Sequence, residues 1–425
     1  MRKKILSGLA VIVIFSIFMF SSIVAASDLY VDDDGLADAT GCDGSGVAYT
    51  HPQDAVNAAN PGDIISICPG TYGSRCYTDP KPPHWGPSDQ CAPALIVWKN
   101  NLYIKAVDPN PANTIIQTTH NFWSNKAGGC ASGGAIERST GCTWDAGTCS
   151  WIGTCVRPNF GTSPNGIAII ANDVTIDGFT VLSTYGGDPG APSQYPNTGG
   201  ILVGGLYSGD KDRSGISGTI IKNCIIRGYS GVRVWKAPHT TLENNIIDNN
   251  IPPVAPGTTP IQAAVDVWDG WCDAGWCEGP NVGSSNLRLI GNQITSYKPT
   301  KAVSLGGYYF GGVDHSNLFV DGNTITSDGD GIGFWSSIGT NKIVTCNNVI
   351  NVPGGSKKVS WNPADSTYDG PFGIDKDKDG YDMCNDCDDN NPKITGPCPL
   401  PSMSPALMIL LLSALAVIGA KRIKV

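Results

Sequence analysis

The chain has 425 residues, with 28 Lys plus Arg against 37 Asp plus Glu and a formal net charge of −9. Only 15% of residues are charged, 41% are apolar or aromatic, and Gly occurs 53 times. So much apolar content excludes global disorder, glycines without a period of three exclude collagen, and their number disfavours long helices. An acidic chain without a basic stripe excludes nucleic acid as the expected partner.

Residues 1–26 read as a secretory signal peptide. Arg2, Lys3 and Lys4 precede the apolar run Ile5 to Phe20, and Val24 and Ala26 set up cleavage before Ser27. The alternative is an uncleaved N-terminal anchor. A short amphipathic helix follows in PQDAVNAANPG, with Ala55, Val56 and Ala59 facing a core and Pro61-Gly62 ending it.

Two short patterns then alternate. The first is Gly or Ala, aliphatic, any residue, apolar. It starts at Gly166, Gly200, Gly231, Ala264, Ala302 and Gly331. The second reads VTIDGFTV from Val174, TIIKNCII from Thr219, TLENNIID from Thr241, LRLIGNQIT from Leu287, LFVDGNTIT from Leu318 and IVTCNNVIN from Ile343. Segments this short cannot bury themselves alone, so they are expected to stack as parallel strands about 4.8 Å apart around one core. Asn245, Asn292, Asn323 and Asn347 are expected to stack as an amide ladder at the turn. A β-sandwich explains a fixed two-strand order less well.

Strand alternation points one residue of each Gly/Ala segment outward. These are Ala168, Leu202, Arg233, Asp266, Ser304 and Gly333, followed two residues on by Ile170, Gly204, Trp235, Trp268, Gly306 and Trp335. Arg233 and Asp266 are then neighbours on adjacent coils, as are Trp235 and Trp268. Exposed Trp beside Arg and Asp suits sugar binding, so Trp235, Trp268, Trp335, Arg233 and Asp266 form an expected contact strip. Insertions that cover the strip would instead bury it. For catalysis, Lys236 or Arg233 could serve as base, and Asp266 with Asp269, or Asp328 with Asp330, could pair as carboxylates. His239 and His315 are isolated.

All 15 cysteines lie beyond the signal segment, where an oxidising compartment pairs most of them. The odd number leaves a thiol over, and Cys224 and Cys346, in apolar runs, are expected to be buried thiols. The segment DKDKDGYDMCND, residues 375–386, has calcium-loop spacing. Asp375, Asp377, Asp379 and Asp386 would supply carboxylates, and Tyr381 its carbonyl. Oxygen-only ligands favour Ca2+. A Pro-rich stretch precedes the apolar run Ala406 to Ala420, and Lys421, Arg422 and Lys424 close the chain. That run spans about 22 Å against a hydrocarbon core of about 30 Å, a marginal membrane stop or a surface-sorting signal. Without both termini the chain carries 22 basic and 37 acidic residues.

The strands and turns together resemble the right-handed parallel β-helix, pectate-lyase-like superfamily. The opening PQDAVNAANPGDIISICPGTY is similar to that superfamily's capping helix and first coil. The resemblance covers roughly residues 28–352, with insertions at 74–93 and 117–163. It implies an all-β solenoid and says little about activity, since the superfamily includes lyases, hydrolases, adhesins and scaffolds. Neither the polygalacturonase set nor the "WIDH" block of pectate lyases occurs, and the one RIK sequence lies at Arg422–Lys424. The Asp-rich segment resembles metal-binding motifs of the MopE and thrombospondin type 3 kinds. The expected organisation is a signal peptide (1–26), a β-helix (27–360), a calcium-binding stalk and linker (361–403) and an anchor helix with a basic tail (404–425). The expected partners are an extracellular polysaccharide and, through the anchor, the membrane at the cell surface. Three functions stay open: carbohydrate-binding or adhesive scaffold, polysaccharide lyase or glycoside hydrolase, and purely structural envelope protein.

Overall fold

A computed structural model describes residues 26–39, 41–73, 94–118, 143–145, 150–152, 165–183, 199–204, 216–228, 230–249, 263–268, 283–297, 301–306, 315–334, 339–361, 368–372 and 384. The chain divides into two compact units, Met1–Asp369 and Gly370–Val425. The first unit is a parallel β-helix. In the second, residues 370–372 and 384 alone are described, so the calcium loop and the C-terminal apolar run lie outside the described residues, as does the signal segment. No helix among the described residues is long and apolar enough to cross a membrane.

Three parallel sheets of nine, eight and eight strands run the length of the first unit. One coil takes a strand from each. Ile220–Lys222 lies in the first sheet, Ile225–Arg227 in the second and Ser230–Trp235 in the third. The next coil repeats this with Thr241–Glu243, Ile246–Asp248 and Val265–Trp268, in unbroken register: Ile221↔Leu242, Ile226↔Ile247, Val232↔Val265. The second sequence motif is thus two strands, because the residue at its centre turns a corner between sheets. A separate antiparallel pair joins Thr143–Asp145 to Ser150–Ile152.

The corner between the first and second sheets divides its work between two adjacent positions. Asn223, Asn244, Gly291 and Gly322 adopt left-handed backbone, with φ of 54–65°. The next residue points inward and builds the ladder. Asn245 Nδ2 donates to Asn292 Oδ1, Asn292 to Asn323 and Asn323 to Asn348, each at 3.0 Å. The fourth member is Asn348, not the expected Asn347. Asn347 is exposed and donates to Asp321, because the last corner takes one extra residue before its strand.

The Gly/Ala position opening each third-sheet strand has a steric cause. A Cβ at Gly200 would lie 2.5 Å from Ile226 Cγ2 and 2.7 Å from the Gly231 carbonyl, and one at Gly231 would meet Ile247 Cγ2 and the Ala264 carbonyl. The corner admits nothing larger than Ala, which stands buried at Ala264 and Ala302. Gly231→Val is expected to cost about 2–3 kcal/mol by overpacking, read as a lowered urea midpoint. A wild-type midpoint would refute this account of the repeat.

Both ends of the coil stack carry caps. The helix Pro52–Ala58, α1, begins after N-cap His51 and buries Ala55 and Val56, with Ala59 buried behind it. Gln53 takes the place of a neighbouring strand for Ile96, accepting from its N–H at 2.8 Å and donating to its carbonyl at 3.1 Å. Lys99 donates to the carbonyls of Asn57 and Ala59 at the helix C-terminus. At the other end Tyr368 packs on Phe334 and Trp361, and Asp369 accepts from the N–H of Asn341 at 2.6 Å. These contacts shield strand edges that would otherwise be open to pairing.

Cysteine placement follows expectation in part. Cys224 is a buried free thiol, pushed up to about 12 by desolvation. Cys346 corrects its expectation: it is exposed and disulfide-bonded, because it sits on the corner ahead of the strand and not within it. Cys42 pairs with Cys68, and Cys384 is also bonded.

Candidate functional site

Most connections from the first to the second sheet take two residues, for example 178–179, 223–224, 244–245 and 291–292. The long insertions fall instead before or after third-sheet strands. The third sheet is therefore the face whose surroundings vary along the axis, and such loops are where binding residues tend to collect.

One outward row crosses this face, through Ile96, Ala168, Leu202, Arg233, Asp266, Ser304, Gly333 and Ser360. The expected outward parity is correct, but the expected exposure is not. Ile96, Ala168, Ile170, Leu202, Ile216 and Trp235 form a buried apolar cluster with Trp98 against it. Arg233 is 1% exposed and Trp235 4%. Neither belongs to an open contact strip, because Ile216, which follows an insertion, packs onto the sheet from outside. The row changes character midway, from apolar in the early coils to polar from Arg233 onward.

Arg233 holds this boundary. Its guanidinium lies 4.9 Å from the Trp235 ring centroid and 3.4 Å from Asp266 Oδ2. Burial raises the Asp266 pKa above the usual carboxylate range, while Arg233 pulls the other way. Arg233 is thus a positioning residue beneath the surface, and Asp266 is the half-buried group it presents.

Sequence reading placed Gly333 in the outward row but missed Lys301, which lies over it. Lys301 is half-buried at the start of its strand and pairs in register with Asp330 on the next coil. Its side chain crosses the outer face of Gly333, where a Cβ would collide with Lys301 Cδ. Burial lowers the amine to about 8, with Asp330 opposing. The repeat alignment held the signal. The residue preceding each Gly/Ala corner also points outward, so Lys301 and Asp330 occupy one repeat position with opposite charges.

The Lys301 shift has a stability consequence. The folded chain releases this proton near pH 8 and the unfolded chain near 10.5. Between those values the unfolded state binds more protons, so this residue's contribution to stability rises with pH. Lys301→Met is expected to flatten that rise in unfolding midpoints taken from pH 7 to 11; an unchanged slope would show that Lys301 titrates normally.

The remaining expected site residues are placed as follows. Trp268 pairs with Trp235 through the backbone. Lys236 leaves the strand at φ 47°, half-buried. Asp328 is exposed, and Asp330 accepts from the Lys357 N–H at 2.8 Å. His239 is exposed and His315 buried. Asp269, Trp335 and the calcium ligands Asp375, Asp377, Asp379, Tyr381 and Asp386 lie outside the described residues.

No protein-family model and no curated protein matches the chain. Among solved structures it is similar to the pectin methylesterase PemA from Erwinia chrysanthemi, at 12% identity over 82% of this chain and 89% of that one, TM-score 0.40. It is also similar to the pectate lyase Pel9A, at 12% over 83% and 81%, TM-score 0.38. A third is YbhC of Escherichia coli, at 11% over 82% and 79%, TM-score 0.41. The β-helix assignment rests on the sheet order and register of this chain itself.

Proposed function

We propose that this protein is a secreted, surface-held β-helix that binds extracellular polysaccharide along the outer face of its third sheet. The observation that supports this most is the polar run Asp266, Ser304 and Lys301 over Gly333. It lies across successive coils between long insertions. Coils repeat about every 4.8 Å, comparable to one sugar unit, so a glycan laid along the axis would meet a polar group at each step. Asp266 accepts from hydroxyls, Lys301 donates, and Arg233 with Trp235 fixes Asp266 from below.

A second reading is a polysaccharide lyase. Lys301 favours it, since an amine near 8 is a competent base just above neutral pH. A glycan-array screen of the full chain, with bound hits assayed for unsaturated uronates and new reducing ends, separates the readings. Binding lost in Lys301→Ala, without product, supports the scaffold. Product lost in the same variant replaces it with the enzyme. Silence across the array leaves a structural envelope role.

In this reading calcium binds Asp375, Asp377, Asp379, Asp386 and the Tyr381 carbonyl, stiffening the stalk, while the segment 406–420 holds the chain at the cell surface. Calorimetric titration of the full chain with calcium is expected to show a site that Asp375→Ala with Asp379→Ala removes. Unchanged calcium binding in that double variant would sink the assignment.

A further inference from the structure

We propose that the first sheet carries a second binding site, for a linear anionic glycan, separate from the third-sheet face. Thr241, Arg288, Phe319 and Ile343 stand on successive coils in one register. They line a groove of about 450 Å³, together with a column of residues at the strand entrances.

That column is built of left-handed corner residues: His239, Asn286, Asn317 and Asn341, with φ of 58–63°. Asn341 Nδ2 donates to Asn317 Oδ1 at 2.9 Å, and Asn317 Nδ2 to Asn286 Oδ1 at 3.0 Å. Asn286 Nδ2 lies 3.3 Å from His239 Nε2. Each of these bonds uses one amide hydrogen and one lone pair, whereas a carboxamide offers two of each. The buried ladder spends its surplus on backbone groups. Here Asn317 and Asn341 are exposed, so the surplus faces solvent in a row repeating at the coil spacing of about 4.8 Å. A chain of linked sugars presents hydroxyls at a comparable interval.

Arg288 selects the charge of the ligand. It is exposed, with its guanidinium 5.7 Å from the Phe319 ring centroid. Among the described residues no carboxylate lies within ion-pair distance of it. An exposed guanidinium so placed suits an anionic group on the ligand, through short-range bidentate hydrogen bonds that act against the chain's overall charge of −9. Half-buried Phe319 offers a flat apolar surface to a pyranose ring. Glu243 and Asp321 stand one outward row away, and Asp321 already accepts from Thr345 and Asn347. Those acids disfavour a densely charged polyphosphate and suit a chain whose anionic groups are spaced by sugar rings.

The test uses the full chain and three probes: oligogalacturonate, sulfated dextran oligosaccharide and plain dextran, each titrated by calorimetry. At least one charged probe is expected to bind, and plain dextran not to bind. Arg288→Ala and Phe319→Ala are each expected to weaken that binding by about tenfold or more, with Arg288→Lys recovering part of it. Lys301→Ala, on the other sheet, is expected to leave the Arg288-dependent part of the binding unchanged, so failure of the third-sheet reading is scored separately. Comparing carboxylated with sulfated probes identifies the anion. Absence of binding, equal binding of plain dextran, or wild-type affinity in Arg288→Ala would overturn the site.

Discussion

Asn292→Leu is expected to destabilise the β-helix by about 3–5 kcal/mol, seen as a large drop in the urea midpoint. Asn292 is fully buried, and all its polar capacity is committed. Its Nδ2 donates to the Leu242 carbonyl at 2.8 Å and to Asn323 Oδ1 at 3.0 Å. Its Oδ1 accepts from the N–H and the Nδ2 of Asn245, both at 3.0 Å. Leucine keeps the volume and strands these partners without water, at about 1–3 kcal/mol for each unsatisfied group. Asn317→Gly in the exposed column supplies the contrast, since glycine keeps the left-handed φ of 58° without strain. Water can replace its partners, so its expected loss is below about 1 kcal/mol. Equal losses at the two positions would show that the inner ladder is ornamental to stability.

Asp266→Ala is expected to cost about 3 kcal/mol, although it removes a group that burial already disfavours. The reason is Arg233, which is 1% exposed and cannot leave with its partner. Breaking one side of a buried pair strands a charge, whereas replacing both sides removes the problem. The double variant Arg233→Met with Asp266→Leu is therefore expected to recover most of the loss, and a double-mutant cycle on unfolding midpoints reads the coupling. Strictly additive losses would show that the two charges do not act as a pair. The same variants separate stability from function. The double variant should fold and yet weaken third-sheet glycan binding, because Asp266, the carboxylate of the polar run, is gone.

The repeat was legible because each of its features has a local cause. Gly or Ala opens the third-sheet strands since the corner leaves no room for a branched Cβ, as the contacts at Gly200 and Gly231 show. Inward residues alternate because strand geometry has a period of two, and Ile201, Val203, Val232 and Val234 are all fully buried. The capping helix announced itself through Ala55, Val56 and Ala59. Near misses came where a one-residue change matters. Cys346 lies on a turn rather than in a strand, and Asn348 rather than Asn347 reaches the ladder, because a corner of different length shifts the register by one.

The candidate site was legible only in its row. Parity placed Arg233 beside Asp266 and Trp235 beside Trp268, and the register confirms both neighbours. Exposure was beyond reach of any local pattern. Whether an outward residue meets water depends on what other chain segments lay over it, and Ile216 reaches the third sheet from a different part of the sequence. The acidity of Asp266 and the basicity of Lys301 follow from the same cause, since both shifts come from burial opposed by a charge on an adjacent coil. Sequence alone therefore decided the strand order, the inward faces and the cap, which depend on residues close along the chain. Packing between coils and insertions decided which outward residues are covered, which are charged and which can meet a ligand.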